Sequence, residues 1–294
     1  MRLPALLLRH KKKVHKHNFG HILILAGSPN MLGAASLASL AAMRSGVGLV
    51  TLGIPKSLNS TVQKKISSVV MTWPLKETPQ QTLSLSAFAE IQKRLDSFDV
   101  IAIGPGLSKN ASTQRLVLKI IETAQQPLVI DADALNAVAS RPGCLTKTRT
   151  IKILTPHSGE MARLLKVDKT VIENNRVKVA KDFAQKHRCI LLLKGHHTVV
   201  ADQDGTTYIN KTGNPGMAKA GSGDVLTGMV AAFLAQGMPE FNATKFAAYF
   251  HGRAGDLAAE AKSRVGMIAT DIIDQIPMAI TLRAIETKPN LFKQ

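Results

Sequence analysis

Acidic residues are missing from the first quarter of this 294-residue sequence, in which no Asp or Glu precedes Glu77. The same segment holds eleven Lys and Arg residues up to Lys76, and the whole chain has a formal net charge of +18. A field of this size attracts polyanions: nucleic acid, acidic membrane or a phosphorylated small molecule. Aromatic residues make up only 4%, and no basic stretch is interleaved with stacking rings. The composition therefore argues against nucleic-acid binding and leaves an anionic small molecule as the expected partner.

Cysteine and long apolar runs are also scarce. The two cysteines, Cys144 and Cys189, have neither metal-type nor redox-type spacing, which predicts reduced thiols in a cytoplasmic protein. No run of about 18 apolar residues occurs, so we expect no membrane-spanning helix. The start, MRLPALLLRHKKK, has its basic cluster on the wrong side for a secretory signal. We assign residues 1–14 to a basic N-terminal tail and residues 15–294 to a single domain, because no linker rich in Pro, Gly or Ser divides them.

What the sequence does contain is a regular alternation of apolar, β-rich runs and helical stretches. Continuous apolar strands separated by helices are typical of a parallel sheet that is buried on both sides. The fold class predicted is therefore α/β, with a largely parallel central sheet covered by helices on both faces. The expected strands are 21–27, 47–53, 66–71, 99–107, 127–135, 151–156 and 189–195, followed by a hairpin over 197–210, and the long expected helices include 33–46, 87–98, 110–124 and 170–187.

Short motifs rich in Gly, Pro, Asp and His follow the predicted strands. Ligands of open α/β sheets bind at the carboxyl ends of the strands, so these motifs are expected to share one functional edge. Strand ends also need turns, which gives each motif taken alone a structural explanation. In the second motif, Asp131 and Asp133 alternate along the strand, so at most one should face the site while the other caps the next helix. The motifs are GPGL (104–107), DADALN (131–136), TPHSGE (155–160) and KGHHT (194–198).

A fifth motif, NPGMAKAGSGDVLTGMV (214–230), places Asp224 between a glycine-rich loop and an apolar helix. A helix start carries unpaired N–H groups and the positive end of the dipole, and glycines let such a backbone close around an anion. Asp224 could be a plain N-terminal helix residue or a base held beside a phosphate. Neither GxxxxGK[ST] nor GxGxxG is present, so a nucleotide would be held by another arrangement.

The AGSGD stretch resembles the glycine loop of ribokinase-like kinases, and the ordered motifs over residues 15–280 resemble the bacterial ADP-dependent NAD(P)H-hydrate dehydratases. The resemblance implies a ribokinase-like fold and a lyase that dehydrates the S form of NADHX or NADPHX to NADH or NADPH. ADP, or ATP, would phosphorylate the hydrate hydroxyl in the presence of Mg²⁺, and elimination of phosphate would restore the ring. With ADP the other products would be AMP and phosphate.

The resemblance also implies a role for each motif residue. Asp224 would be the base, with Gly221, Ser222 and Gly223 as the anion hole and Gly223 also touching the nucleotide. Glu160 would act near Mg²⁺ through water, since Mg²⁺ usually keeps several waters. The implied substrate contacts are Ala35, Gly106, His157 and Asp224, and the implied nucleotide contacts are Lys194, Gly195, His196, His197 and Thr198.

Several alternatives stay open at this point. His157 could simply satisfy a turn, Lys194 could be a surface residue, and the imidazoles of His196 and His197 could be idle on a hairpin. The competing function is a ribokinase-like kinase acting on a hydroxymethyl heterocycle such as a vitamin precursor. A basic nucleic-acid-binding protein that keeps an inactive enzyme fold is a third reading, and the intact loop before Asp224 argues against it.

The resemblance carries expectations about partners and has two departures. A homo-oligomer, with a tetramer as one size, is expected from family habit, and epimerisation of the other hydrate isomer is expected to need a separate epimerase. His17 stands where a glycine would be expected after the preceding His-Lys pair, which leaves phosphate contacts from that loop in doubt. The basic start of the chain matches no part of the pattern.

Overall fold

The computed structural model of this protein describes residues 4, 7, 14–66 and 68–287, with side chains to residue 282. The predicted basic tail, residues 1–14, lies mostly outside the described residues. The described strands are β1 (His21–Leu25), β2 (Leu49–Pro55), β3 (Met71–Leu75), β4 (Val100–Ile103), β5 (Leu128–Ile130), β6 (Lys152–Leu154), β7 (Ile190–Leu193), β8 (Val199–Ala201) and β9 (Thr207–Ile209).

The helices alternate with these strands as the apolar pattern predicts, and the last three follow one another without an intervening strand. They are α1 (Leu32–Arg44), α2 (Asn59–Lys65), α3 (Phe88–Gln92), α4 (Ala111–Thr123), α5 (Asp133–Ser140), α6 (Ser158–Leu165), α7 (Lys169–Asn174), α8 (Arg176–His187), α9 (Ser222–Ala235), α10 (Glu240–Lys262) and α11 (Ala269–Thr287).

One nine-stranded sheet organises the described residues, in the order β3-β2-β1-β4-β5-β6-β7-β8-β9. All neighbours from β3 to β7 pair in parallel, and β7, β8 and β9 pair antiparallel. The strand order reverses direction between β1 and β4, which is the switch point where ligands of open α/β sheets bind. The predicted parallel sheet and its terminal hairpin are confirmed.

Alternation along each strand divides the core into two layers. In β1, Ile22 and Ile24 join the core formed with α1, α9 and α10, whereas Leu23 and Leu25 join the core formed with α4, α5 and α8. All four side chains are fully buried. Because both faces are covered, the strands read as continuous apolar runs rather than as alternating ones. The predicted cover of helices on both faces is confirmed.

Three sequence expectations are wrong in detail. The helix expected over 87–98 is α-helical only over Phe88–Gln92, and a separate 3-10 turn follows at Leu95–Ser97. The strand expected at 66–71 lies at Met71–Leu75 instead, and only its first residue overlaps the expected range. The strand is at the edge of the sheet, where a proline is tolerated because an edge strand pairs with a neighbour on one side only. The single helix expected over 170–187 is two helices, since Asn175 adopts φ −134 and ψ 31 between α7 and α8.

The tightest helix contact lies between α1 and α9. A Cβ placed on Gly228 of α9 would stand 2.1 Å from the backbone oxygen of Ala38 in α1. The small residues of α1 allow this approach, and Ala35, Ala38 and Ala42 are fully buried. The contact holds α9, and with it the predicted anion loop, against the sheet.

Gly228→Ala is expected to lower the free energy of unfolding by about 1–3 kcal/mol, because the added methyl group must push backbone away in a close-packed core. The matched control is Gly33→Ala in the exposed first turn of α1, where an added Cβ meets no atom within 4 Å. There alanine should be neutral or stabilise by up to about 1 kcal/mol through its helix propensity. Urea unfolding of the two variants measures the difference, and equal stabilities would contradict the close approach of α1 and α9.

None of the helices in the described part of the chain is both long enough and apolar enough to cross a membrane. Cys144 and Cys189 are both buried and unpaired, as the spacing predicts. Burial raises the pKa of each thiol to about 12, so both are inert at physiological pH.

Candidate active site

The loops after β1 and β4 meet at the switch point of the sheet. The Gly27 amide donates to the Pro105 carbonyl at 2.9 Å. Gly106 adopts φ +62, and a Cβ on it would stand 2.6 Å from the Cβ of Met31. Glycine is therefore required there by conformation and by space, and it lets the GPGL motif close against the loop that leads into α1. This contact forms one wall of the strand-end edge.

The glycine loop ends in the left-handed residue Gly221, with φ +89, and α9 begins at Ser222. Among the described residues the N-cap Gly221 offers no side-chain cap, so the first-turn amides of Gly223 and Asp224 can bind an anion, whereas the Ser222 amide already donates to the Lys219 carbonyl at 3.4 Å. Ser222 is buried, and its hydroxyl lies 3.3 Å from the Nε2 of His251 in α10. Burial lowers the pKa of His251 to about 4, so the imidazole is neutral and supports the loop without adding charge.

A buried hydrogen-bonded group joins α9 to the ends of β5 and β7. The Lys194 ammonium donates to Oδ1 of Asp131 at 2.7 Å, and the Thr227 hydroxyl donates to Oδ2 of the same carboxylate at 2.7 Å. Asp131 is only 1% exposed. Lys194 also lies 3.8 Å from the Oε2 atom of Glu160. Each oxygen of the buried Asp131 carboxylate thus has a partner, as burial of a charged group demands.

Asp224 projects into the same region from the first turn of α9. Burial and, after it, the charge of Asp131 raise the pKa of this carboxyl group, the Lys194 ammonium lowers it, and the net pKa is about 7. For Lys194, burial lowers the pKa, but the charges of Asp131, Glu160 and Asp224 outweigh burial and raise it. Lys194 therefore stays charged while Asp224 titrates near neutral pH, which is the range in which a general base is effective.

His157 and Glu160 form a reciprocal cap at the start of α6. The Nδ1 atom of His157 accepts from the amides of Gly159 and Glu160 at 3.0 and 3.1 Å, and the Glu160 carboxylate accepts from the His157 amide at 2.8 Å. Since Nδ1 accepts twice, it carries no proton, and burial lowers the pKa of the imidazole. The ring is about half exposed, and its Nε2 atom lies 3.5 Å from Oε1 of Glu160.

The KGHHT segment follows β7 and faces TPHSGE. The Lys194 amide donates to the Pro156 carbonyl at 2.8 Å, and His157 pairs with Lys194 as an isolated parallel bridge. Gly195 adopts φ +147, and the Thr198 hydroxyl donates to its carbonyl at 3.0 Å. The rings of His196 and His197 lie with centroids 3.9 Å apart and planes tilted by 32°, on the exposed part of the loop.

The turn after β5 directs the side chains of Asp131 and Asp133 to different partners. Ala132 adopts φ 49 and ψ −120, a region that favours glycine and costs about 1–3 kcal/mol for other residues. This conformation sends Asp131 toward Lys194, while Asp133 accepts from the Ser108 amide at 2.8 Å. The expectation that one aspartate faces the site is confirmed by Asp131. The expected helix cap is wrong, because Asp133 is the first residue of α5 and ties that helix to the GPGL loop instead.

The structure brings most of the predicted residues to one edge and leaves others apart. Asp224, Lys194, Glu160 and His157 lie together, and the glycine loop adjoins them, since a Cβ on Gly223 would stand 3.3 Å from the Lys194 ammonium. Ala35 is different, because its methyl group is fully buried in the core. Its contact with a substrate stays a prediction, as do the other individual ligand contacts.

Thr227 is a site residue that the sequence analysis missed. Its hydroxyl shares the Asp131 carboxylate with Lys194, and it lies one turn after Asp224 on α9. The spacing i, i+3 was the available signal, because it places the two side chains on one side of the helix. Because Thr227 lies within an apolar stretch of α9, the sequence gives no sign that its hydroxyl group has a polar partner. Asp131 is the first residue of the DADALN motif, but the motif alone does not predict which side chains it contacts.

The described residues at this edge form no preassembled metal centre. In the part of the chain that the structure describes, no group of three or more His, Cys, Asp or Glu side chains is arranged to hold a metal ion. The local charge nevertheless suits a hydrated divalent cation, because the single Lys194 ammonium faces the carboxylates of Asp131, Glu160 and Asp224. Mg²⁺ keeps several waters and binds through one or two carboxylates plus substrate phosphates. The residues fit a Mg²⁺ ion that arrives with a nucleotide.

The fold and the site together define a ribokinase-like α/β protein: a mostly parallel sheet, a glycine loop at the start of a helix, and an aspartate with a pKa near neutrality beside it. The sequence profile of the NAD(P)H-hydrate dehydratases matches residues 22–278. The chain belongs to the NAD(P)H-hydrate dehydratase family, which confirms the family suggested by the motifs.

Individual relatives agree. The bifunctional NAD(P)H-hydrate repair enzyme Nnr of Moorella thermoacetica is 44% identical over 274 residues, which cover 93% of this chain and 52% of that protein. The ADP-dependent (S)-NAD(P)H-hydrate dehydratase of Bacillus subtilis is 35% identical, with 90% of each chain covered. A crystal structure of the ADP/ATP-dependent NAD(P)H-hydrate dehydratase of B. subtilis, co-crystallised with ATP and Mg²⁺, superposes with a TM-score of 0.80 at 32% identity over 94% of each chain.

The chain spans about half the length of the bifunctional relatives that it matches, at 52% of the M. thermoacetica protein. It matches the monofunctional B. subtilis protein over nearly its whole length. The family is therefore established by both sequence and fold.

Proposed function

We propose that this protein is a nucleotide-dependent dehydratase that converts the S form of NADHX or NADPHX to NADH or NADPH. The observation that carries the proposal is Asp224, a carboxylate with a pKa of about 7 at the first turn of an uncapped helix. A base and an anion site side by side are what transfer of a phosphoryl group to a hydroxyl requires. The family membership identifies the hydroxyl as that of the hydrated nicotinamide ring.

In the proposed reaction the hydroxyl oxygen of the hydrate attacks the terminal phosphorus of the nucleotide. Asp224 accepts the proton that this hydroxyl group loses. The amides from Gly221 to Asp224 hold the transferring phosphoryl group, and the Lys194 ammonium balances charge beside them. With ADP as donor, the bond to AMP breaks and AMP leaves. Elimination then breaks the C–O bond to phosphate and the C–H bond on the neighbouring ring carbon; the C–H electron pair forms the ring double bond, and the proton passes to water. The products are NAD(P)H, AMP and phosphate, so atoms and charges balance.

The nucleotide is proposed to lie along residues 194–198, with Glu160 oriented toward its phosphates. When bound, Mg²⁺ would neutralise phosphate charge, and Glu160 would hold it through water. ADP as the preferred donor is supported by the ADP-dependent relative of B. subtilis, and ATP remains the alternative donor. His157 and Gly106 are proposed to contact the hydrate, because both border the same strand-end edge as Asp224.

The test is direct. Purified protein is mixed with NADH hydrate, Mg²⁺ and either ADP or ATP, and the return of the near-ultraviolet absorbance of NADH is followed together with release of phosphate. Nucleotide-dependent recovery with stoichiometric phosphate would support the dehydratase and identify the donor. Phosphate retained on an organic product would instead support the competing kinase of a hydroxymethyl heterocycle. Absence of recovery with either nucleotide would refute the proposal.

The dependence of the rate on pH follows from Asp224. Because burial raises the pKa of its carboxyl group to about 7, the base is protonated and inactive in mildly acidic solution. At low hydrate concentration kcat/KM should rise about tenfold per pH unit below pH 7 and level off above it. Initial rates from pH 5.5 to 8.5 at saturating ADP and Mg²⁺ measure this. A flat profile down to pH 5.5 would rule out Asp224 as the titrating base.

The remaining expectations are proposals about context. We infer that residues 15–294 act as one unit, which the continuous nine-stranded sheet supports. A homo-oligomer, with a tetramer as one size, a cytoplasmic location and cooperation with an NAD(P)HX epimerase follow from the proposed reaction and the family. An epimerase activity is needed because only the S form enters the reaction. The bifunctional name of the M. thermoacetica relative fits such a partnership.

A further inference from the structure

Arg176, the first residue of α8, lies beneath the predicted nucleotide loop and has no role in the reaction described above. Its side chain is only 15% exposed. Nη2 donates to the carbonyls of Leu193 and Lys194 at 2.9 and 3.2 Å. Nη1 donates to the Ser158 hydroxyl at 2.9 Å and to Glu173 at 3.2 Å. One guanidinium group therefore connects α8 to the end of β7 and to the start of α6.

Both segments that Arg176 holds carry site residues. Leu193 ends β7 and Lys194 opens the KGHHT loop, so the two carbonyls fix the backbone from which the Lys194 side chain reaches Asp131. Ser158 stands directly after His157, in the first turn of α6, where Glu160 is also held. The side chain of Arg176 thus fixes the nucleotide loop relative to Glu160, the carboxylate that is proposed to hold Mg²⁺ through water.

The loop is shaped to fit the guanidinium group. A Cβ on Gly195 would stand 2.9 to 3.2 Å from the Nη2, Nη1 and Cζ atoms of Arg176. Glycine at this position therefore permits the loop to rest on the arginine, in addition to adopting φ +147. The planar, rigid fork of arginine can hold several acceptors at once, whereas the point charge of lysine cannot.

The burial of Arg176 is not explained by stability alone. Its Nε atom is buried and has no hydrogen-bond partner among the described atoms. A buried unpaired donor lowers stability, and such groups in native proteins are concentrated where function requires them. Among the described residues, Glu173 is the only carboxylate that contacts the side chain, on the surface side. The other three acceptors are neutral and lie at the site.

We infer that Arg176 is a positioning residue for nucleotide binding: it holds the 194–198 loop in place against the start of α6. The inference rests on the proposed function only in taking the ligand of this loop to be an adenine nucleotide. It assigns no contact between Arg176 and the reacting atoms. Loss of Arg176 should therefore weaken binding of ADP more strongly than it changes the later steps, because the guanidinium group contacts neither Asp224 nor the glycine loop.

The experiment measures binding of Mg-ADP, and separately of Mg-ATP, to the purified full chain by isothermal titration calorimetry, so that it does not depend on turnover. Arg176→Ala is expected to weaken the affinity for the preferred nucleotide by about tenfold or more, the equivalent of one charge-assisted hydrogen bond. Arg176→Lys should recover only part of it, because one ammonium cannot hold both carbonyls and Ser158. In turnover assays KM for the nucleotide should rise by a larger factor than kcat at saturation falls or KM for the hydrate rises.

The matched control is Arg115→Ala in α4, which removes the same side chain and charge from an exposed position. It should bind the nucleotide as the wild type does. Melting temperatures are recorded for every variant, and Arg176→Lys carries the test if Arg176→Ala does not fold. Wild-type affinity in the folded Arg176 variants, with lowered melting temperature alone, would overturn the inference. A wild-type protein that binds neither nucleotide would also overturn it, whereas binding without dehydration would refute only the proposed reaction.

Discussion

Asp224→Asn is expected to lower kcat for the dehydration by about a thousandfold, within the range that general-base catalysis contributes. The amide keeps the size and the hydrogen-bonding shape of the carboxylate but cannot accept the hydroxyl proton. The first turn of α9 and its amides should be unchanged, so the affinity for ADP should stay within a few-fold of wild type or increase slightly as a negative charge is removed beside the phosphates. Single-turnover rates and calorimetric binding of Mg-ADP measure the two quantities separately.

The control for this variant is Asp182→Asn on α8, where the carboxylate is exposed and pairs with Lys178 on the surface. It removes the same charge far from the glycine loop and should leave the turnover at the wild-type level. Wild-type turnover in Asp224→Asn would remove Asp224 from the mechanism and return it to the role of a plain helix-terminal residue. Loss of ADP binding in parallel with turnover would mean that the substitution had disrupted the loop.

Lys194→Met should have a large effect on stability as well as on nucleotide affinity. The methionine preserves much of the volume but leaves Asp131 and Glu160 buried without their cation. Breaking a buried ion pair from one side typically costs about 3–5 kcal/mol, and we expect a loss of this order in the free energy of unfolding at neutral pH. Urea unfolding measures the loss, and calorimetry should show that binding of Mg-ADP falls below detection.

The same variant should show a characteristic dependence on pH. Without the ammonium, the pKa of Asp224 rises further, because Lys194 is the charge that lowers it. A carboxyl group whose pKa is raised in the folded state destabilises the protein when it is ionised and ceases to do so when it is protonated. The stability of Lys194→Met relative to wild type should therefore recover as pH falls from 8 toward 5. A deficit that is constant over this range would contradict the electrostatic explanation.

Lys178→Met is the matched control for Lys194→Met. Lys178 also pairs with an aspartate, Asp182, but its side chain is 75% exposed. An exposed pair of this kind contributes about 0–1 kcal/mol, so the substitution should be nearly neutral. A similar loss of stability in both variants would mean that burial of the Lys194 pair has no special cost. The comparison separates the effect of the site from the loss of a lysine.

Much of the fold could be predicted because strands that are buried on both faces consist of continuous apolar residues, which are visible in the sequence. The runs around β1, β2 and β4 are continuous and apolar, and they lie where the pattern predicts. The prediction failed at β3, an edge strand whose residues include Pro74 and exposed Met71, because an edge strand is only partly buried and its pattern is weak. It also failed at Asn175, where one residue interrupts a helical pattern that continues on both sides.

For the candidate site, the sequence by itself determined which segments carry the chemistry. Parallel strands end at one edge of the sheet, so the motifs that follow them converge there. The glycine loop before an apolar stretch places Asp224 in the first turn of a helix. What it could not determine was which side chains meet there. Asp131 and Lys194 are 63 residues apart, and Asp131 and Thr227 are 96 apart. Partners so distant leave no periodic signal in the chain.

Only the tertiary structure decided the state of the base and the support beneath the loop. The pKa of Asp224 depends on how much water is excluded and on the charges of Asp131 and Lys194, and both arise only when α9 packs against the sheet. Arg176 belongs to no motif, and its importance comes from the two strand-end carbonyls and the hydroxyl that surround it. Local sequence specifies elements and their ends, whereas distances between elements set the electrostatics and the positioning of the site.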